Sequence, residues 1–238
     1  MSIREEFDRW AREGRDRGME DRHWHTAKRA LVRMPVEAGE TVLDLGTGSG
    51  YALRALAEAR GGIRGYGMDA SPGMLRNARA YTDDPAIDFL RGRFGSLPFR
   101  SDAIDHVFSM EAFYYATDPD EALREIRRVL RPGGTFYCAV DYYEENEYAH
   151  GWDDAVDPDL TLWSRADYRA AFRDAGLSVA GQDNLPDRET EIPPEREFPH
   201  RASDTTVFES RAEMVERYRE LGTLLTVGVA PGAPAESI

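Results

Sequence analysis

The 238-residue chain contains a single cysteine, Cys138, and a single lysine, Lys28. One thiol excludes an internal disulfide and fits a reducing compartment. Cys138 lies in the apolar run 136–140, where a free thiol packs as a small hydrophobe. No apolar stretch reaches the roughly 18–20 residues that cross a bilayer, so no membrane span is expected. The opening residues Met1-Ser2-Ile3-Arg4-Glu5-Glu6-Phe7 lack the basic start and apolar core of a secretory leader, so a cytoplasmic location is expected. Positive charge is also scarce: 44 acidic residues face 30 Lys and Arg, a formal net charge of -14. That balance argues against a long phosphate-tracking surface, and no nucleic-acid partner is expected. Metal-ligand clusters are missing too. His23 and His25 stand two apart, which suits neither a helical pair nor a zinc spacing, and reads as a surface or lid pair.

What remains is an alternation of short apolar runs with helical patterns. Ile3, Phe7, Trp10 and Ala11 share one helical face, and a second pattern runs through Ala27, Leu31 and Val32 after a connector holding Gly14 and Gly18. Strands are expected at 41–45, 63–69, 87–90, 104–110, 135–140, 177–180 and 223–229. Ser71-Pro72 and Asp118-Pro119 each place a capping side chain before a proline suited to the first helical position. Such alternation implies a doubly wound, mainly parallel sheet covered by helices on both faces. Two segments break the pattern, at 142–162 and 184–210, and read as lids above the sheet.

The chemistry is concentrated in Thr41-Val42-Leu43-Asp44-Leu45-Gly46-Thr47-Gly48-Ser49-Gly50, a strand running into a glycine loop with a helix behind it. The dinucleotide fingerprint G-x-G-x-x-G counted from Gly46 would need glycine where Tyr51 stands. Here the glycines alternate instead, and Asp44 precedes them by two. An acid beside the loop repels a pyrophosphate but suits an ammonium and a sulfonium. Asp69, ending the second strand, can accept from both hydroxyls of a ribose and by itself fits either cofactor class.

At these residues the chain resembles the class I S-adenosylmethionine-dependent methyltransferases, in particular the group of ubiquinone/menaquinone and sterol methyltransferases. The resemblance runs through 42–50, then Gly67-Met68-Asp69-Ala70-Ser71-Pro72-Gly73-Met74-Leu75, Leu97-Pro98-Phe99, Ile104-Asp105-His106-Val107 and Leu130-Arg131-Pro132-Gly133-Gly134. It implies an α/β, Rossmann-like sheet of seven strands with an antiparallel last strand. It also implies a helical cap at 1–37 over a cofactor domain at 38–238. S-adenosylmethionine is the implied cofactor: Gly46, Thr47 and Gly48 would line its methionine part, with Asp44 orienting the loop or the amino group. Asp69 would bind the ribose, Ala70 lie by the adenine, and Met110 sit beside the methionine part. Where relatives often carry Gly-Asp-Ala, this chain has Gly92-Arg93-Phe94, so Phe94 is assigned to the adenine in place of a carboxylate. The acidic, lysine-poor composition resembles proteins of salt-in halophilic microbes, and stability is expected to fall as salt is removed.

Methyl transfer is an in-line displacement at carbon from an already activated donor, so positioning dominates. A base is needed only where the acceptor arrives protonated. Glu111 is the expected base and Asp141 the second, with a magnesium site between them as an alternative. Phe113, Tyr114 and Tyr115, with Tyr142 and Tyr143, are the expected substrate walls, able to face a sulfonium with aromatic rings. A small-molecule acceptor is expected. RNA or protein methylation, a nicotinamide-dependent oxidoreductase and a non-catalytic cofactor-binding protein are the competing readings.

Overall fold

The computed structural model describes residues 3–152, 160–202 and 206–232. Its centre is β1 (Thr41–Leu45), buried from Val42 onward. A strand covered on both faces shows an unbroken apolar run, and that is the mark of a parallel sheet interior. β1 pairs in parallel with β2 (Arg64–Asp69) on one side and β4 (Ile104–Met110) on the other. β3 (Ile87–Arg91) extends the sheet beyond β2, and β5 (Leu130–Val140) beyond β4. β7 (Thr223–Val229) inserts antiparallel between β5 and β6 (Ser178–Leu185), giving the order β3-β2-β1-β4-β5-β7-β6. This is the expected seven-stranded, mainly parallel sheet with an antiparallel last strand. Strand order reverses at β1 and β4, where a doubly wound sheet opens a crevice at its carboxyl edge.

Helices cover both faces. α2 (Arg15–Leu31), α3 (Tyr51–Arg60) and α4 (Pro72–Tyr81) bury Ala27, Leu31, Leu53, Leu56 and Leu75 against one. α5 (Pro119–Val129) and α6 (Arg165–Asp174) bury Leu123, Ile126, Tyr168 and Phe172 against the other. The Phe136 ring of β5 stacks on Phe172 at 5.2 Å. α1 (Ile3–Arg12) lies outside these layers and packs Trp10 and Ala11 against Met74 of α4. Caps work as the sequence indicates: Ser71 accepts from the Met74 amide at 3.1 Å, and Asp118 from the Glu121 amide at 2.8 Å.

Four features depart from expectation. α2 begins at Arg15, directly after Gly14 with its φ of 73°, so Gly18 is a helix residue and not part of a connector. A mid-helix glycine costs about 1 kcal/mol against alanine. Tertiary ties on either side hold the turn: Asp16 to Asn77, and Glu20 to Arg54. β6 runs on to Leu185 because β7 pairs along its whole length, a reach masked in sequence by Gln182, Asp183 and Asn184. β5 starts at Leu130, its register shifting between Ile104 and His106 where Arg131-Pro132-Gly133-Gly134 bulges out. A helix also precedes β7: α7 (Arg211–Val215) continues as wider π turns over Glu216–Leu221.

The segment 142–152 is packed down by Tyr142 and Tyr143, which are buried; residues 153–159 of that expected lid lie outside the described residues. The second segment is tied to α2 by Lys28 to Glu189 and by His25 to Asp187 at 3.1 Å.

Candidate cofactor cleft

A cleft of about 1240 Å³ opens at the carboxyl ends of β1, β2 and β4. Its floor is the loop after β1. Gly46 takes φ 74°, and a Cβ there would stand 2.2 Å from the Ala112 Cβ, so the loop and the turn after β4 touch only through glycine. Gly48, at φ 52°, has nothing within 4 Å of its missing Cβ and leaves backbone exposed to a ligand. The amides of Gly46 and Thr47 both donate to the Met68 carbonyl, at 2.8 and 3.1 Å, which locks the loop onto β2.

Two carboxylates define the floor. Thr47 Oγ1 donates to Asp44 Oδ2 at 2.6 Å. Asp69 Oδ2 accepts from the Gly48 amide at 3.0 Å and Oδ1 from the Ser71 amide at 2.8 Å. Burial pushes the Asp44 carboxyl up to about 7, against the Thr47 hydrogen bond and aided by the Asp69 charge. Burial likewise raises Asp69, while the amides of Ser71, Gly48 and Ala70 hold it down. The cleft therefore disfavours its own negative charge, and an arriving cation relieves that strain.

The roof comes from the amino-terminal helices. Asp8 of α1 accepts from Ser71 Oγ at 2.6 Å and from the Gly73 amide at 2.7 Å, seating α1 on the start of α4. Glu20 of α2 accepts from Ser49 Oγ at 2.7 Å and from Arg54 through both oxygens at 3.0 and 2.9 Å, seating α2 on the glycine loop. Phe7 meets Trp10 and Tyr115 edge-on at 5.1 and 5.3 Å, and Trp152 Nε1 donates to the Tyr115 hydroxyl at 2.6 Å. These aromatic rings close one rim.

All eight residues assigned to the cofactor line this cleft: Asp44, Gly46, Thr47, Gly48, Asp69, Ala70, Phe94 and Met110. The Phe94 ring stands edge-on to Phe113 at 5.8 Å, and Phe94 lines the cleft. The acceptor-side residues divide differently. Glu111 and Tyr115 line the cleft. Phe113, Tyr114, Tyr142 and Tyr143 do not: they are 0%, 3%, 3% and 0% exposed and build the core beneath it. Aromatic residues after a strand end suggest walls, but the hydrophobic gain of burying each ring draws these inward. Asp141 is also absent from the lining. It is ion-paired with Arg217 of the π turns and accepts from Thr223 Oγ1, a charge held by the framework.

Glu111 itself takes φ 51°, rare for a residue with a Cβ. Its Oε1 accepts from the Asp141 amide and its Oε2 from the Tyr114 hydroxyl at 3.2 Å. Burial first, and then the Asp141 charge, push its carboxyl well above the usual range. Among the described residues no group of three or more metal-ligating side chains is assembled. Glu20, His23 and Tyr51 also line the cleft, though none is among the residues assigned to the site from sequence, where His23 reads as part of a surface or lid pair. Only spacing could have signalled the first two, since Glu20, His23 and Ala27 lie on one face of α2.

A methyltransferase-domain family model matches residues 43–138. Over 97% of its length, and 100% of the other chain, the protein is 63% identical to the methyltransferase chain of a Haloferax volcanii complex with the Trm112 methyltransferase activator, at a TM-score of 0.91. The chain belongs to the class I S-adenosylmethionine-dependent methyltransferases. Among curated relatives, the sterol 24-C-methyltransferase of Saccharomyces cerevisiae is 28% identical over 170 residues, 66% of this chain and 44% of that protein. Methyltransferase phqN of Penicillium fellutanum is 30% identical over 177 residues, 68% of this chain and 53% of that one. The chain thus spans about half the length of these methyltransferases. A geranyl diphosphate methyltransferase solved with S-adenosylmethionine shares the fold, at a TM-score of 0.66 and 18% identity over 87% of this chain and 84% of that one.

The methyltransferase cofactor fits the cleft on the chain's own chemistry. Two carboxylates, Asp44 buried and Asp69 half-buried, face a space open at Gly48, and the buried Tyr51 hydroxyl has no hydrogen-bond partner among the described residues. A zwitterionic sulfonium satisfies such a floor. A pyrophosphate would add charge of the sign the floor already disfavours. Among the described residues no helix is long and apolar enough to cross a membrane.

Proposed function

We propose that this methyltransferase holds S-adenosylmethionine across the tips of β1 and β2 and transfers its methyl group to a small-molecule acceptor beside Glu111 and Tyr115. The observation carrying the placement is the pair of carboxylates on the floor of the cleft, Asp44 buried and Asp69 half-buried, with the Asp69 charge adding to the upward push on Asp44. Each Asp69 oxygen already accepts one backbone N–H and keeps a second acceptor position for a ribose hydroxyl. The amide face of 46–48 takes the methionine end, and Phe94 packs by the adenine. When bound, the cofactor supplies a methyl carbon on a cationic sulfur. The chain's residues bind it, exclude water and hold the acceptor in line.

The cleft volume of about 1240 Å³ exceeds the usual upper range of ligand pockets, roughly 1,000 Å³, so cofactor and acceptor fit side by side. Asp141 is a positioning residue in this reading: its amide fixes Glu111 while Arg217 neutralises its carboxylate.

A second reading is favoured by the Haloferax relative, 63% identical and solved with an activator protein. On it, this chain is the catalytic half of a two-protein enzyme with a Trm112-type activator, and RNA or protein is the acceptor. One experiment separates the readings. The chain, alone and with a Trm112-type protein, is incubated with methyl-tritiated cofactor and a cell extract, and label is followed into small molecules, RNA and protein. Label in the small-molecule fraction without the activator supports the first. Label in RNA or protein, gained only with the activator, supports the second.

A further inference from the structure

Helix α2 carries one residue into the cleft that the cofactor floor does not require. His23 is the one histidine among the described lining residues. It stands one turn before Thr26, whose hydroxyl is 2.9 Å from that of Thr223, which in turn donates to Asp141. This chain of contacts places the His23 face of α2 above the ends of β4, β5 and β7, the side of the cleft where Glu111 lies. Trp24, next along α2, meets Tyr51 edge-on at 6.3 Å, so the unpartnered Tyr51 hydroxyl belongs to the same end. Both side chains carry hydrogen-bonding capacity that no described protein group uses. The Tyr51 hydroxyl is buried and, among the described residues, unpaired, and a buried polar group left open in this way marks a place where a ligand completes the set; His23, half-buried, borders the same cleft.

The carboxylates nearby already serve protein donors. Both oxygens of Glu111 accept hydrogen bonds, from the Asp141 amide and the Tyr114 hydroxyl. Both oxygens of Glu20 are taken by Arg54 and Ser49. Asp44 is held by Thr47 on the floor. Asp16 keeps one open oxygen, yet its other accepts from Asn77 of α4, at the opposite end of the cleft. His23 offers a ring nitrogen at the β4 end that no described hydrogen bond engages, whereas each Glu111 oxygen already serves one donor. Burial, then the Arg22 charge, bring its imidazole down to about 4, so it stays neutral at ordinary pH. Glu111, pushed the other way, tends to keep its proton.

We infer that His23 is the group that takes the proton from the methyl acceptor, and that the acceptor therefore attacks through a protic nitrogen or oxygen. The inference rests on the cofactor placement proposed above. In the step, the acceptor's lone pair forms the bond to the methyl carbon as the carbon–sulfur bond breaks, and that bond's electron pair stays on sulfur. The acceptor's proton passes to the free imidazole nitrogen of His23. The unit of positive charge that arrived on sulfur leaves on the imidazolium, so the cleft's charge is unchanged over the step. This balance is why a histidine held neutral beforehand works here: the cation it becomes replaces the one that disappears. The Tyr51 hydroxyl is assigned the second hydrogen bond to the acceptor atom, as a positioning residue.

The test needs no knowledge of the acceptor. Sinefungin replaces the sulfonium and its methyl by a carbon bearing an amine, and so places N–H donors where the methyl group would stand. His23 accepts from that amine, directly or through one water in the acceptor's place. Calorimetric Kd values for sinefungin and S-adenosylhomocysteine are compared in wild type, His23→Ala and Glu111→Gln. Nitrogen-15 shifts of the His23 ring are followed in the wild type. The expected result is a sinefungin preference that falls by at least about fivefold in His23→Ala, the scale of one hydrogen bond. S-adenosylhomocysteine affinity should stay within about twofold, and the ring nitrogen should shift with sinefungin only. A preference unchanged in His23→Ala, or lost in Glu111→Gln while His23→Ala retains it, overturns the assignment. Failure of the wild type to bind either compound overturns the cofactor placement instead.

Discussion

The Gly48 amide donates to Asp69 Oδ2 at 3.0 Å, so the loop after β1 and the acid that ends β2 form one unit before a ligand arrives. A second bond, from the Ser71 amide to Oδ1 at 2.8 Å, fixes the other oxygen. The carboxylate that addresses a ribose is thus also the brace of the glycine loop.

Replacing Asp69 by alanine removes both functions. Affinity for S-adenosylhomocysteine should fall by about 1.5–3 kcal/mol, the scale of hydrogen bonds to a charged group. The melting temperature should fall with it, since two amides lose their acceptor. Asparagine keeps one acceptor oxygen and should lie between. Titration calorimetry and thermal melts on the two variants check this.

Asp44 makes cofactor binding pH-dependent. In the free protein its carboxyl sits at about 7, and a bound cation favours the ionised form. Binding therefore expels a proton below about pH 7, and affinity should weaken as pH falls toward about 5.5 while staying flat above about 8. Asp69, also raised by burial, acts with the same sign. Calorimetry in two buffers of different ionisation enthalpy reads the released proton directly. Asp44→Asn should abolish most of that release and weaken binding.

The sheet and the glycine loop at its carboxyl edge are legible in the sequence, because these sit on short elements whose patterns are local. The roof is legible only coarsely, as an expected helical cap at 1–37 and a surface or lid pair at His23 and His25. Glu20 and His23 reach the cleft only where α2 folds over the loop, and Tyr51 opens α3 directly behind the glycines, where an aromatic ring reads the same whether it faces ligand or core. Phe113, Tyr114, Tyr142 and Tyr143 show the opposite failure. An aromatic cluster after a strand reads the same whether it walls a pocket or fills a core, and only the tertiary burial at 0–3% exposure decides it. The commitment of Asp141 to Arg217 is invisible in sequence, because the partner lies 76 residues away. The helix carrying Arg217 follows Ser210, which accepts from the Glu213 amide at 3.3 Å, a cap that the spacing Ser210-x-x-Glu213 could have revealed.

The hold of α1 on α4 depends on Asp8, which gathers Ser71 Oγ and the Gly73 amide. Asp8→Ala should cost about 1–2 kcal/mol in local stability, the range of a lost cap. Amide exchange across residues 3–12 should accelerate while the strands keep their protection. Dissociation of S-adenosylhomocysteine should quicken, because α1 roofs the cleft. Hydrogen-exchange mass spectrometry and stopped-flow release read the two effects.

Arg217 and Asp141 should depend on each other. Arg217→Met leaves a half-buried carboxylate without its cation and removes a charge-assisted hydrogen bond, worth about 2 kcal/mol. The Arg217→Met and Asp141→Asn double variant should recover part of that loss. A double-mutant cycle by denaturant unfolding measures the coupling.

The acidic surface makes a separate claim about solution conditions. With 44 acids against 30 Lys and Arg, self-repulsion grows as salt is withdrawn. Screening lengths run from about 3 Å at 1 M to about 10 Å at 0.1 M, so the melting temperature should climb across that range and beyond it. A melting temperature flat from about 0.1 to 3 M KCl would show that the charge excess is not destabilising.

The placement of an adenosyl cofactor over the Asp44 and Asp69 carboxylates is tested most directly by calorimetric titration of the wild-type chain with S-adenosylmethionine and with NAD. The account predicts one saturable site for S-adenosylmethionine, with proton release below about pH 7, and no heat from NAD. Saturable NAD binding, or no response to S-adenosylmethionine, would contradict it.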